Sequence, residues 1–194
     1  MAGVRPAEGA TSAGRETAVS AEATPLAAVP VLRTARLVLR AFTERDLDAY
    51  AAMCADAEVM RHIGAGGPVE RGLAWRQMAM FVGEWTLHGY GMWAIETRED
   101  ARLVGRAGFL HPPGWPEAEL GWLLARDAWG HGYASEAVRA AREHGRARLG
   151  LAAPISLIRP DNLRSIALAE RLGATLESRI ALLGGEAFVY RHAR

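Results

Sequence analysis

The chain reads as an α/β protein of the α+β kind: a central mixed, mostly antiparallel sheet of about six to seven strands with helices on both faces. Three observations predict it. Tight turns at Arg98–Ala101 and at Gly184-Gly185 join runs of apolar and β-branched residues, which is how antiparallel hairpins are written. The run Ala118–Ala125 is apolar on both faces, as suits a strand inside a covered sheet. Helical segments elsewhere carry their apolar residues on a single stripe, the pattern of helices laid against such a sheet.

Residues 1–30 are dominated by Ala, Gly, Thr, Ser and Pro and keep no helical or strand period. No apolar core follows a basic start, so neither a signal peptide nor a membrane span is expected there. They are expected to be a disordered tail, with one domain over 31–194. The first strand is expected over Val31–Arg40, and Thr43 with Asp46 makes a Thr-x-x-Asp start for the helix that follows. The loop Gly64–Pro68 leads to a second helical stretch, about Val69–His88, and then to strands Gly91–Thr97 and Leu103–Leu110. A helix from Ala134 to about Leu149 sets Ala134, Ala137, Val138, Ala141, Gly145 and Leu149 on one stripe, small enough to sit close to the sheet. The β-branched strand at Ile155–Ile158 is stopped by Pro160. Asp161 or Asn162 can cap the next helix, and Gly173 sits where a C-terminal glycine belongs. A last pair, about Thr175–Leu183 and Glu186–His192, turns on Gly184-Gly185. No internal repeat is present.

Chemistry concentrates in two places. The turn Trp129-Gly130-His131-Gly132-Tyr133-Ala134-Ser135 lies between a strand and an alanine-rich helix. Glycines there can take positive φ and approach a ligand closely, and the helix start turns unpaired N–H groups onto the same spot, so the segment reads as a pyrophosphate cradle. On the strand before it, period-two alternation places Glu119, Gly121 and Leu123 on one face, and a carboxylate on such a strand needs a reason. Within the later helix, Ser165, Leu168, Ala169 and Leu172 follow helical spacing. Ser165 therefore opens the inward stripe, with Asn162 one turn earlier, although an Asn that merely caps and a Ser that bonds back to a carbonyl fit the same spacing.

Composition narrows the classes. Half of the 194 residues are hydrophobic, enough to bury about two-thirds of the unfolded surface. The net charge is +1 with arginines scattered among carboxylates, which argues against a nucleic-acid footprint. All 23 basic residues are arginine, so a Walker-type phosphate lysine, a Schiff base and a lysine general base are excluded together. Cys54 is the single cysteine and can form no internal disulfide, which points to the reducing cytoplasm. The six histidines show no metal-ligand spacing, so no metal is expected. Trp75, Trp85, Trp93 and Trp122 are expected in the core, Trp93 also fitting an acceptor pocket, and Trp115 on its Pro-rich loop as a pocket wall.

The succession Glu119-Leu-Gly-Trp, Trp129-Gly-His-Gly-Tyr-Ala-Ser-Glu-Ala and Asn162-Leu-Arg-Ser-Ile-Ala-Leu-Ala-Glu-Arg-Leu-Gly-Ala resembles the GNAT superfamily of acetyl-CoA-dependent N-acyltransferases. Its nearest branch is that of the enzymes acetylating ribosomal-protein N-termini. The opening Leu32–Leu47 resembles that branch too, so the likeness covers about residues 31–194; Trp129 replaces the Gln or Arg usual at the start of the phosphate signature. The resemblance implies the single-domain acyl-CoA N-acyltransferase fold, with the coenzyme pyrophosphate held by N–H groups around Trp129, Gly130, His131, Gly132, Tyr133, Ala134 and Ser135. It further implies pantetheine paired to the backbone of Leu123, Leu124 and Ala125, and Asn162 and Ser165 beside the thioester. His131 is expected to offer its N–H rather than its ring.

Acetyl transfer to an amine needs a base for the ammonium proton, a donor for the oxyanion and an acid for the departing thiolate. Glu119, directly or through water, is the expected base, with Glu186 in reserve and a salt bridge to Arg106 or Arg126 as its structural alternative. A backbone N–H of the Leu123 strand is expected to serve the oxyanion, and Ser165 the thiolate. The expected partners are acetyl-CoA and an amine of a small molecule or a protein N-terminus, without nucleic acid or membrane, in a monomer or homodimer. A non-catalytic acyl-CoA-binding sensor and an acyltransferase for a non-amine acceptor remain as alternatives.

Overall fold

The computed structural model describes Ala28 to Ala193. Up to residue 27 the expected tail lies outside the described residues. Just after it Pro30 is anchored, its carbonyl accepting the Trp93 indole N–H at 2.7 Å.

Eight strands form one sheet in the order β1-β2-β3-β4-β5-β6-β8-β7. They are β1 (Leu32–Arg33), β2 (Leu37–Arg40), β3 (Met92–Thr97), β4 (Leu103–Leu110), β5 (Glu119–Leu124), β6 (Ile155–Ile158), β7 (Thr175–Leu182) and β8 (Gly185–Arg191). Every neighbouring pair is antiparallel except β5 and β6, which run parallel. The count exceeds expectation because Val31–Arg40 is not one strand. Thr34 Oγ1 accepts the Leu37 N–H at 3.0 Å and the Thr34 N–H donates to the Leu37 carbonyl, so the chain folds back between β1 and β2.

Helices α1 (Leu47–Ala55), α2 (Ala57–Met60) and α3 (Arg71–His88) cover one face, packing Tyr50, Met78 and Phe81 against Met92, Ala94, Leu110 and Leu123. Asp46 closes the turn before α1 by accepting the Thr43 N–H at 2.8 Å, as the Thr-x-x-Asp spacing predicts. Gly89, at φ +73°, ends α3. The buried stripe of α3 is Ala74, Met78, Phe81 and Trp85, one position out of phase with Trp75. Trp75 is therefore 56% exposed and is no core residue.

The opposite face is covered by α4 (Tyr133–Arg148) and α5 (Leu163–Arg171). Ala137, Val138 and Ala141 are fully buried there against Trp93, Ile95 and Phe109. Close approach is enforced by Gly145, where a Cβ would stand 2.3 Å from Phe109 Cζ. The hairpin of β7 and β8 turns at Leu183 and Gly184, both at positive φ.

Candidate active site

The parallel pair is what opens the sheet. β5 and β6 pair only at Glu119 with Ile155 and no ladder continues toward Leu124 and Ile158. On its other side β5 is fully laddered to β4. The Ala125 N–H reaches the Val104 carbonyl at 2.9 Å, and the Leu123 carbonyl points at β4, where a Cβ on Gly105 would meet it at 2.2 Å. Strand alternation then directs the Trp122 and Leu124 backbone groups toward β6. Of the run Leu123–Ala125, Leu124 thus presents its N–H to the opening, while the Leu123 carbonyl and the Ala125 N–H are taken up with β4. Trp122, not anticipated in this role, joins it.

A cleft of about 910 Å³ fills this opening. Its floor is Trp122, Leu123 and Leu124; one wall is Trp129, Gly130, Gly132, Tyr133, Ala134 and Ser135; the other is Asn162 and Ser165 with their neighbours on α5; and Glu58, Val59 and Arg61 to Ile63, around α2, close the end. Gly130 and Gly132 take φ of +81° and +78°, conformations that a side chain disfavours, and a Cβ on Gly130 would meet nothing within 4 Å. Gly132 is the N-cap of α4 and no side chain caps the helix, so the first-turn N–H groups face the cleft without intrahelical partners. A negative group fits there by charge and by hydrogen bonding. His131 lies on the exposed outer side, its ring against Tyr133 with centroids 5.7 Å apart. Ala125 and His131 do not line the cleft.

The cradle is held by residues that local sequence does not single out. Glu136, in the first turn of α4, would place a carboxylate beside the same N–H groups. Instead it accepts Thr34 Oγ1 at 2.6 Å, the Arg36 N–H at 2.8 Å and Arg36 Nε at 2.8 Å. Burial works to raise its carboxyl, yet these bonds hold it below the usual carboxylate range. Arg36 also donates from Nη1 to the His131 carbonyl at 2.8 Å and lies over the Tyr133 ring at 4.8 Å. The β1–β2 turn thus fixes the glycine loop. Across the cleft, the Arg164 guanidinium stacks over the Trp129 ring at 4.5 Å, and His62 Nδ1 lies 3.3 Å from Asp161 Oδ1.

Asn162 and Ser165 come together on the cleft wall. Asn162 Oδ1 accepts the Ser165 N–H at 3.2 Å, so the capping role is real, and both residues line the cleft as well. Glu119 does not line it. Its Oε2 accepts the Trp115 indole N–H at 2.6 Å, which accounts for Trp115: that ring holds the carboxylate and is not a cleft wall. Burial raises the Glu119 carboxyl, opposed by the Trp115 bond, by the Arg106 charge and by the Leu157 N–H. Neither Arg106 nor Arg126 forms an ion pair with it; Arg126 lies 3.5 Å from Glu58 instead. Glu186 stands on the outer hairpin with its side chain 49% exposed, 3.9 Å from Arg179, and is not brought to the cleft. Trp85 and Trp93 are buried, and Trp122 is half-buried on the cleft floor. Among the described residues no group of three or more His, Cys, Asp or Glu side chains is placed to hold a metal ion.

Comparison with known proteins agrees with this geometry. Residues 36–175 match the model of the acetyltransferase (GNAT) domain. The chain is 30% identical over 145 residues to the uncharacterized N-acetyltransferase YoaA of Bacillus subtilis, spanning 74% of this chain and 82% of that protein. A crystal structure of an acetyltransferase from Agrobacterium tumefaciens superposes with a TM-score of 0.78 at 35% identity, covering 86% of this chain and 96% of that one. The ribosomal L7/L12 alpha-N-protein acetyltransferase RimL, solved in complex with coenzyme A, shares the fold at a TM-score of 0.70 and 20% identity, covering 84% and 98%. A family match over most of the chain, on a sheet that opens beside a glycine cradle, is decisive: the protein belongs to the GNAT acetyltransferase family.

Proposed function

We propose that the protein transfers the acetyl group of acetyl-CoA to a primary amine, on a small molecule or at a protein N-terminus, by direct attack within a ternary complex. One observation carries the reading. A single cleft gathers the glycine cradle, the unladdered edge of β5 and the Asn162–Ser165 pair, the three surfaces that a long thioester with an anionic tail would need. In this reading the pyrophosphate lies on the first turn of α4, and pantetheine adds to β5 as an extra strand through Trp122 and Leu124.

The amine nitrogen attacks the thioester carbon, forming the C–N bond while the C–S bond breaks. Negative charge developing on the carbonyl oxygen is met by the Leu124 N–H, which the strand directs into the opening. Ser165 gives its hydroxyl proton to the departing thiolate and regains one from the attacking nitrogen, which sheds its second proton as the amide forms, so that free thiol and neutral amide leave together. Glu119 takes the ammonium proton through a water, since its carboxyl does not line the cleft. Burial strengthens it as a base by raising its proton affinity. A protein N-terminus is one acceptor class supported by the RimL neighbour, whose described substrate is such a terminus.

A thiol-release screen with acetyl-CoA against a library of amines, read with product masses, tests the proposal. Thiol release together with an amine heavier by one acetyl group is the expected result. Tight acetyl-CoA binding without release from any amine would favour a sensor, and an ester product would move the acceptor to a hydroxyl.

A further inference from the structure

Arg106 and Glu119 face the same side of the sheet. β4 and β5 pair with Leu110 opposite Glu119, Gly108 opposite Gly121 and Arg106 opposite Leu123, and cross-strand partners share a face. That face is the one α1 and α3 cover. Arg106 is 7% exposed. Its guanidinium lies over the Phe81 ring at 5.0 Å, and Nη1 donates to Met92 Sδ at 3.6 Å. Its Nε has no hydrogen-bond partner among the described residues. A buried guanidinium without a contacting carboxylate is costly, and an apolar side chain of similar volume would fill the same space.

The groups around Arg106 show which charge it answers. From α1 come Tyr50 and Cys54, whose hydroxyl and thiol burial pushes up, so both stay neutral. From α3 comes Gln77, uncharged and bonded to the Tyr50 hydroxyl at 2.9 Å. From β3 comes Met92, whose thioether meets the guanidinium on one side and reaches toward Gly121, beside Glu119, on the other. Its Cε sits 3.1 Å, and Glu119 Oε1 3.6 Å, from where a Cβ on Gly121 would stand. Glu119 is otherwise met by the Trp115 indole and the Leu157 N–H. A fixed positive charge and a titratable carboxyl thus share the sheet face that α1 and α3 cover, with the Met92 thioether against the guanidinium, in a medium where a field carries further than in water.

We propose that Arg106 is a positioning residue for proton transfer: its charge, acting across Met92 and not through an ion pair, keeps Glu119 ionised and ready to accept the amine proton. The proposal rests on the reading of Glu119 as the base. A contacting guanidinium would overshoot, because direct bonds to the carboxylate would depress its basicity by more than the reaction tolerates. At one remove, the charge offsets burial and leaves the oxygens unclamped by Arg106.

The test is the pH profile of kcat/KM from pH 5.5 to 9, by thiol release with one identified amine, for wild type, E119Q, R106Q and R106K, alongside thermal melting. E119Q is expected to abolish the acidic limb. R106Q is expected to move that limb upward by about one pH unit, so that it loses about tenfold at the foot of the limb and converges on wild type at pH 9. R106K keeps the charge and is expected to keep the limb near its wild-type position, and R106Q in the E119Q background should move nothing further. An acidic limb that survives in E119Q would overturn the reading of Glu119 as base, and the proposal with it. A limb lost in E119Q but unmoved in R106Q, with only the melting temperature lowered, would overturn the proposal alone and leave Arg106 a packing residue. Should R106Q fail to fold, R106M keeps the packed stem without the charge and is read the same way.

Discussion

Ser165 stands one helical turn after Asn162, and helix geometry alone brings both side chains to the same wall. Such local spacing is why this pair was legible in the sequence. Arg36, which holds the glycine loop, was not, because its partner Glu136 is 100 residues away and meets it only when β1 and β2 fold back beside α4. His62 with Asp161 is the same case. Glu119 was legible as a carboxylate in need of a reason, but the reason includes Trp115, whose ring the sequence placed against substrate and the fold places against Glu119. At this scale the account predicts that Ser165→Ala lowers kcat by roughly ten- to a thousandfold and leaves acetyl-CoA affinity nearly unchanged, since a proton donor needed only in the transition state does not hold the ground state. Steady-state kinetics beside a calorimetric titration would check this, and a near-wild-type kcat would remove Ser165 from the chemistry.

Elements show where pattern reading succeeds and where it slips. The small-residue stripe that predicts α4 is also what lets it lie close to β4. Gly145→Ala is accordingly expected to destabilise the fold by about 1–3 kcal/mol, because the new methyl would collide with the fully buried Phe109 ring, an overpacking cost larger than the gain in helix propensity. Thermal melting should show a fall of several degrees; a rise would mean that Phe109 yields at no cost. Trp75 shows the limit of periodicity in a helix whose apolar residues run nearly all round. With Leu73, Trp75, Met80, Val82 and Leu87 all exposed on α3, which stripe is buried is set by α1 and β3, not by α3 itself. The strand Val31–Arg40 was divided for a comparable reason: a threonine side chain supplied the hydrogen bond that a continuing strand would have made.

Over the whole molecule, the parallel junction of β5 and β6 ties stability to pH through a group at the end of the chain. His192 is fully buried behind β6. Ser156 Oγ donates to the Leu120 carbonyl at 2.6 Å, so His192 Nε2–H donates to Ser156 Oγ at 2.9 Å and Nδ1 is left unprotonated, with no partner among the described residues. Burial, with the Arg142 charge adding to it, pushes His192 down to about 4. A histidine held neutral in the fold but protonated in the unfolded chain contributes stability that is complete above about pH 6.5. That contribution is lost progressively as the pH falls to about 4, by roughly 3 kcal/mol in all. Chemical denaturation from pH 8 to 4 should follow this slope in the wild type and a shallower one in His192→Gln; identical slopes would assign the acid sensitivity to other groups. The central claim, that the opening between β5 and β6 is an acetyl-CoA site anchored on the start of α4, meets its most direct test in calorimetric titration of acetyl-CoA into the wild type and Gly132→Val. The account predicts saturable one-to-one binding by the wild type, worth about 2.7 kcal/mol of added stability at a hundredfold excess over Kd, and its loss in the variant, where a branched side chain strains φ +78° and stands 3.4 Å or closer to the Arg36 guanidinium that holds the loop. Equal affinity in the two proteins, or no binding by the wild type, would contradict it.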